Sequence, residues 1–203
     1  MTFRKILASL VMFCWLPASL AQSAGEELTS RLANLVSLQG TFTQVLLDDA
    51  GREMERSSGR FVMQKPGRFY WETLEPFPQQ LISNGQTIWL YDPDLMQVTV
   101  RQLDEQLEKT PALLLSRDPK ALTTAYDVSK VKEQVYTLTP TESEPLFVSL
   151  TMTFSDTGIS EVSVEDGLGQ RTVFSLTDTR VNLPVDESLF HFNAPEGVDV
   201  LID

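Results

Sequence analysis

Cysteine and histidine are almost absent from this chain of 203 residues, which has one of each. Cys14 lies in an N-terminal segment that we expect to be removed on export, so neither a disulfide nor a thiolate-ligated metal is expected in the mature protein. His191 stands between Phe190 and Phe192, and a lone histidine between aromatic residues is more often a packed strand or turn residue than a general base. These two residue types therefore give little support to catalysis.

The sequence motifs of common catalytic sites are also missing. There is no G-x-S-x-G elbow, no H-E-x-x-H zinc motif and no phosphate-binding loop that ends in Gly-Lys-Ser or Gly-Lys-Thr. Adjacent acids such as Asp48 and Asp49 resemble the carboxylate pair of a glycosidase, but 28 acidic residues make such pairs common by chance. We predict a protein with no enzymatic activity, cofactor or metal, and keep an exported hydrolase as a minor alternative.

The N-terminus has the three regions of a secretory signal peptide. Arg4 and Lys5 precede an apolar run from Ile6 to Leu16, and small residues follow up to Ala21. Because Phe13, rather than a small residue, precedes Cys14, lipidation of that cysteine is not expected. We predict cleavage near Ala21, export across the inner membrane of the cell, and one mature domain over residues 22–203.

Basic side chains are few, at 16 against 28 acidic ones. Loss of residues 1–21 would remove Arg4 and Lys5, and would leave 14 basic and 28 acidic side chains with a formal charge of −14. A surface of this charge repels nucleic acid and anionic membranes, so we expect it to bind neither.

Turn signals divide most of the chain into short segments that alternate as β-strands do. A short amphipathic helix is predicted from about Gly25 to Ser37. The Asn84-Gly85 pair, between QQLIS and QTIWLY, is the strongest hairpin signal. We count ten or eleven antiparallel strands, which is typical of one large sheet, a sandwich or a barrel.

Some predicted strands are apolar on one face and others on both. LFVSLTMTF alternates, and its apolar face would hold Leu146, Val148, Leu150, Met152 and Phe154. In QTIWLY, however, Ile88 and Leu90 point away from Trp89 and Tyr91, so both faces need cover; RFYW and QQLIS share this property. Two explanations stay open: central strands of a thick sandwich, or a curved sheet with an apolar hollow.

Two short helices are predicted between residues 111 and 124. The first lies in TPALLLSR, where Thr110 and Pro111 form a helix start and the following residues are apolar on every side. Such a helix must be covered all round. It would fit as a lid over an apolar hollow that can also accept a ligand.

The segment FVMQKPGRFYWETLEPFPQQLISNGQTIWLYDPDLMQVTV resembles the periplasmic outer-membrane lipoprotein carrier family, LolA. The matching features are a basic residue before proline, Phe-x-Trp, Gln-Leu-Ile, Asn-Gly and aliphatic-Trp-x-Tyr, in that order. The likeness extends upstream to SRLANLVSLQGTFTQ and downstream through TPALLLSR to FHFNAPEGVDV. The ordered set therefore covers nearly the whole mature chain.

This resemblance implies a fold and a function. The fold would be mainly β with short helices: an incomplete barrel of one curved antiparallel sheet of about 10–11 strands, with a helical lid over an apolar cavity. The function would be to carry triacylated lipoproteins from an ATP-driven inner-membrane extractor, LolCDE, to the outer-membrane acceptor LolB. We expect such a carrier to be a monomer.

The resemblance also implies roles for individual residues. Lys65 occupies the position where the family usually has an arginine associated with lid closure and cargo handover, and lysine lacks the planar fork of donors of that arginine. Phe69 matches an aromatic residue implicated in contact with the extractor. The alternative for Lys65 is a plain surface residue, and the alternative for Phe69 is a core residue of its strand. The expected acyl-chain cavity consists of Phe42, Phe69, Trp71, Leu81, Ile88 and Leu90, and the expected lid residues are Leu32, Leu113 and Leu115.

Two alternatives of other kinds stay open. A carrier of free lipid would share the apolar cavity, so only its cargo would distinguish it. A sensor of lipid or misfolded protein, of the RseB type, would share the curved sheet but usually has a second domain, which the 182 residues of the mature chain do not accommodate.

Overall fold

The computed structural model describes residues 23–103, 118–143 and 145–202. Its first helix, α1, spans Ala24–Ala33 and begins with a capping box in which the side chains of Ser23 and Glu26 each accept from the other residue's backbone N–H. The helix is shorter than the predicted 25–37, because Ser37 already pairs in the first strand.

Twelve β-strands are found in the described residues. In chain order they are β1 Ser37–Leu47, β2 Glu53–Gln64, β3 Arg68–Glu75, β4 Gln79–Asn84, β5 Thr87–Asp92, β6 Gln97–Gln102, β7 Tyr126–Lys132, β8 Val135–Pro140, β9 Ser149–Ser155, β10 Gly158–Glu165, β11 Arg171–Val181 and β12 Asp199–Ile202. A second helix, α2, spans Pro119–Ala125, and a 3₁₀ helix spans Glu187–Phe190.

All twelve strands form one sheet in the order β12-β6-β5-β4-β3-β2-β1-β11-β10-β9-β8-β7. The sheet is open and curved, which confirms the predicted mainly-β fold. The predicted count of ten or eleven strands is too low. The sequence analysis missed the short β12, which pairs in parallel with β6 while every other pairing is antiparallel.

The helix α2 confirms the second of the two short helices predicted between residues 111 and 124. Asp118 caps it by accepting from the backbone N–H of Lys120, and Pro119 occupies the first turn. The first predicted helix, in TPALLLSR, lies outside the described residues. No helix in the described part of the chain has the length and apolar character needed to cross a membrane.

One face of the sheet carries the larger core, which we call the concave face. Its buried side chains pack beneath both helices, with Leu28, Leu32 and Leu35 contributed by α1 and the residues that follow it, and Leu122 by α2. The opposite face carries a smaller cluster in which Tyr70 and Ile82 pack against Phe190 of the 3₁₀ helix. In the described residues the two faces of a single sheet are therefore covered by different helical elements, α1 and α2 on one side and the 3₁₀ helix on the other, and not by a second sheet.

The alternation predicted for LFVSLTMTF holds only in part. Leu150, Met152 and Phe154 are buried as predicted, but Leu146 and Val148 are exposed and Phe147 is buried instead. The reason is that β9 begins only at Ser149, so the residues before it do not follow the strand period.

Candidate functional site

An aromatic cluster lies at the centre of the concave face, around Trp71. The ring of Phe42 stacks on Trp71 with centroids 3.8 Å apart, and the rings of Phe61, Phe69 and Phe174 lie at 5.7, 5.8 and 5.6 Å. Trp71 itself is half-buried. Phe42, Phe61 and Phe69 are buried, so the part of the cluster that an apolar ligand can contact consists of the partly exposed Trp71 and Phe174.

Strand register explains how these rings meet. Phe61 pairs with Trp71 across β2 and β3, and Phe42 pairs with Gly59 across β1 and β2. A Cβ atom at Gly59 would lie 1.9 Å from the carbonyl oxygen of Glu72 and 2.8 Å from Cε1 of Phe42. The missing side chain at Gly59 thus leaves the space through which Phe42 reaches Trp71.

Five of the six predicted cavity residues belong to this one core. Phe42, Phe69 and Ile88 are buried in it, and Trp71 and Leu81 pack against it while partly exposed. The sixth, Leu90, pairs with Leu81 and so shares the concave face, but it is 38% exposed and lies outside the cluster.

The predicted lid residue Leu32 lies on the inner side of α1, where it is almost fully buried in the same core. The hydrophobic period that predicted this helix thus also identified its core-facing side, with Leu28 one turn earlier. The other two predicted lid residues, Leu113 and Leu115, lie outside the described residues. Their role stays a prediction.

Lys65 joins the sheet to this helix. Its Nζ donates a hydrogen bond of 2.6 Å to the carbonyl oxygen of Leu32 in the last turn of α1. Burial lowers the pKa of Lys65 from its usual 10.5 to about 8, and the charge of Asp118 at the start of α2 opposes that shift. One ammonium group therefore lies close to the ends of both helices.

A second set of contacts holds α1 to the edge of the sheet. Lys130 on β7 lies 3.1 Å from Glu27 on the helix and 3.0 Å from Glu133. Arg31, one turn after Glu27, lies 3.9 Å from Glu133. The helix is thus attached at the β7 side by side-chain charges and at the β2 side by a single lysine.

The described residues show no arrangement of histidine, cysteine and carboxylate side chains that could hold a metal ion. His191 is exposed, and its backbone N–H bonds to Ser188 at the end of the 3₁₀ helix. The features that the described residues do bring together are an apolar concave surface, an aromatic cluster and a tethered helix.

Comparison with known proteins decides which family these features represent. Residues 33–193 match the family described as outer membrane lipoprotein carrier protein LolA. This chain belongs to the LolA family. An outer-membrane lipoprotein carrier protein from Azotobacter vinelandii is 38% identical over 98% of both chains, and one from Alcanivorax borkumensis is 39% identical over the same shares.

Solved structures agree with the LolA fold. An uncharacterized conserved protein from Thermus thermophilus superposes with a TM-score of 0.56 and 12% identity over 89% of this chain and all of the other. A LolA superfamily protein from Nitrosomonas europaea gives a TM-score of 0.51 and 14% identity over 85% of this chain and 97% of the other.

The sequence analysis of this LolA-family chain missed several residues of the core. Phe61, Met63 and Phe174 belong to it, although they were not among the predicted cavity residues. Their alternation along β2 and β11 was visible, but which face of each strand turns inward follows from pairing with distant strands. The Phe69 side chain is 1% exposed, so a direct contact between it and a partner would require the core to open.

Proposed function

We propose that this protein is a non-enzymatic periplasmic chaperone that binds the acyl chains of lipoproteins released from the inner membrane and carries them to an outer-membrane acceptor. Membership of the LolA family supports this function, as do relatives at 38–39% identity that bear the name of lipoprotein carrier. The predicted signal peptide supports the location in the periplasm.

The observation that carries the proposal is the continuous apolar concave face beneath α1 and α2, with the partly exposed aromatic cluster at its centre. Each buried CH₂ contributes about 0.8 kcal/mol, so one sixteen-carbon chain costs on the order of 10 kcal/mol to expose to water. An acylated protein therefore needs a carrier of this kind to cross an aqueous compartment.

The direction of transport must come from partners. The sequence holds no nucleotide-binding motif, so we assign loading to an ATP-driven extractor, LolCDE, and unloading to an acceptor, LolB, that binds the acyl chains more strongly. Unloading must lower the free energy of the cargo, and an acceptor that binds the acyl chains more strongly meets this condition.

Entry of an acyl chain into the core requires α1 to move away from the sheet. Leu28 and Leu32 fill the space over the concave face, and the Lys65–Leu32 hydrogen bond is one contact that such a movement would break. We therefore assign gating to Lys65. The test is Lys65→Leu, which should still bind acyl chains but should transfer cargo to the acceptor at a changed rate; unchanged transfer would contradict the gating role.

Tryptophan fluorescence provides a test of acyl binding. Removal of the signal peptide leaves two tryptophans, with Trp71 on the concave face and Trp89 in the cluster on the opposite face. In a Trp89→Phe variant, a fatty acid that carries a bromine on its chain should quench the emission of Trp71. In the matched Trp71→Phe variant, the same ligand should leave Trp89 unquenched, and equal quenching of both would contradict a concave-face site.

The cargo is tested by expressing the full chain in a Gram-negative host, purifying the processed protein without detergent and identifying bound species by native mass spectrometry. Acylated proteins bound one to one would support the lipoprotein carrier. Phospholipid alone would support a carrier of free lipid. An empty protein that also fails to take up lipoproteins from spheroplasts would contradict the proposed function.

A further inference from the structure

Neighbouring strands change from apolar to polar at the same level of the concave face. Along β1 the inward residues pass from Phe42 to Gln44, and along β3 they pass from Trp71 to Thr73. Gln44 pairs with Ser57 on β2, and Thr73 pairs with Gln79 on β4. The aromatic cluster is therefore bordered on one side by a row of polar side chains.

This polar row lines a pocket of about 290 Å³. Its other lining residues include Glu55, Asp92 and the loop of residues 76–78 between β3 and β4, in which Phe77 is 73% exposed. Because Asp92 follows Leu90 by two residues on the same strand, it also belongs to the concave face. We call this pocket, with its lining residues Gln44, Glu55, Ser57, Thr73, Pro76, Phe77, Pro78, Gln79 and Asp92, the polar pocket.

Several polar groups of this pocket lack a protein partner. Ser57 is only 8% exposed, yet its hydroxyl makes no hydrogen bond to the described residues, whereas the other two buried serines, Ser37 and Ser83, each bond to a backbone carbonyl. The side-chain amides of Gln44 and Gln79 likewise make no hydrogen bond within the described part of the chain. Gln79 is exposed, Gln44 is half-buried, and the Ser57 hydroxyl is not among the fully buried unpartnered atoms. These groups are therefore open to water, and a polar ligand can take the place of that water.

The charge of the polar pocket limits which ligand fits. Two carboxylates, Glu55 and Asp92, line it, and no lysine or arginine is among its described lining residues. A phosphate group placed there would face like charges without a cation to offset them. A neutral group with amide or hydroxyl donors would find acceptors in both carboxylates and in the glutamine oxygens.

We propose that the polar pocket binds the head of an acylated ligand whose chains lie on the aromatic cluster, and that it selects neutral heads over anionic ones. This inference rests on the proposed acyl-binding function. The glyceryl and amide groups of an acylated N-terminal cysteine are a neutral head of this kind. The phosphate of a membrane phospholipid is the kind that the pocket disfavours.

Binding of two amphiphiles with identical chains tests the selection. Trp71 emission in the processed Trp89→Phe protein is titrated with dioctanoylglycerol and with dioctanoyl phosphatidate. We expect the neutral ligand to bind at least about tenfold more tightly, because a phosphate would be repelled by the half-buried Asp92 and, more weakly, by the exposed Glu55. Added salt should reduce this preference in the parent protein, which tests the same point without a mutation.

The matched variants separate a local from a general charge effect. Glu55→Gln with Asp92→Asn should bring the two affinities to within about threefold of each other, because it removes both pocket charges and keeps the shape. Asp156→Asn with Glu196→Gln changes the net charge equally at exposed sites outside the pocket and should keep the parent preference. Equal binding of the two ligands by the parent, or a preference that survives the pocket substitutions, would overturn this inference alone. Failure of both ligands to bind would overturn the proposed function itself.

Discussion

Replacing Lys65 by methionine should remove a pH dependence of stability that the parent protein shows. Because burial holds the pKa of Lys65 at about 8 in the folded protein and unfolding restores it to about 10.5, the unfolded state binds more protons between these values. Stability must therefore rise with pH in this window. Between about pH 7 and about pH 9.5, these two pKa values raise the free energy of unfolding by at most about 2 kcal/mol. Partial solvent screening reduces the expected increase to about 1 kcal/mol.

The assay is urea unfolding of both proteins at several pH values up to about 9.5, where any tyrosine ionisation affects both proteins alike and cancels in the comparison. Near neutral pH the substitution should change stability little, because the lost charge-assisted hydrogen bond to Leu32, worth about 1.5–3 kcal/mol, is offset by relief of the buried charge. Lys132→Met, at an exposed position on β7, is the control and should keep the parent slope. If the free energy of unfolding of Lys65→Met still rose with pH as it does in the parent, the pH dependence could not come from Lys65.

Two further predictions concern packing. Gly59→Ala should destabilise the fold by at least about 2 kcal/mol in urea unfolding, because its Cβ would clash with backbone. The control is Gly167→Ala, which should have little effect because nothing lies within 4 Å of its Cβ. Equal losses of stability in the two variants would contradict the close approach at Gly59. Phe190→Ala should cost about 3–5 kcal/mol because the side chain is 1% exposed, and the exposed Phe77→Ala should stay within about 0.5 kcal/mol of the parent. If thermal or urea unfolding showed a larger loss of stability for Phe77→Ala than for Phe190→Ala, the 3₁₀ helix would not cover the sheet.

Local sequence pattern was enough to predict most of the strands and the core-facing side of α1. QTIWLY predicted two buried faces, and the structure covers one with the concave core and the other with the cluster around Phe190. The pattern failed at β12, whose four residues pair in parallel with β6 about a hundred positions earlier. A short strand of this kind has no local signal that separates it from a loop.

The candidate site was predictable only in part, because its geometry also depends on pairing between distant strands. Phe42, Trp71 and Ile88 could be proposed because their strands align with those of a known family. The stacking of Phe42 on Trp71, however, depends on the empty position at Gly59 on the strand between them. The polar pocket was not predicted, because its residues come from separate strands and become neighbours only through register.

The sequence by itself determined the strand and helix periods, the predicted export signal, the acidic surface and the scarcity of catalytic side chains. These properties depend on composition or on residues close together in the chain. Only the tertiary structure decided which face of the sheet carries the larger core, where the apolar surface gives way to polar groups, and that Lys65 meets a carbonyl 33 residues away. Each of these depends on pairing between distant strands, and a shift of one residue in that pairing would turn every side chain of a strand to the other face.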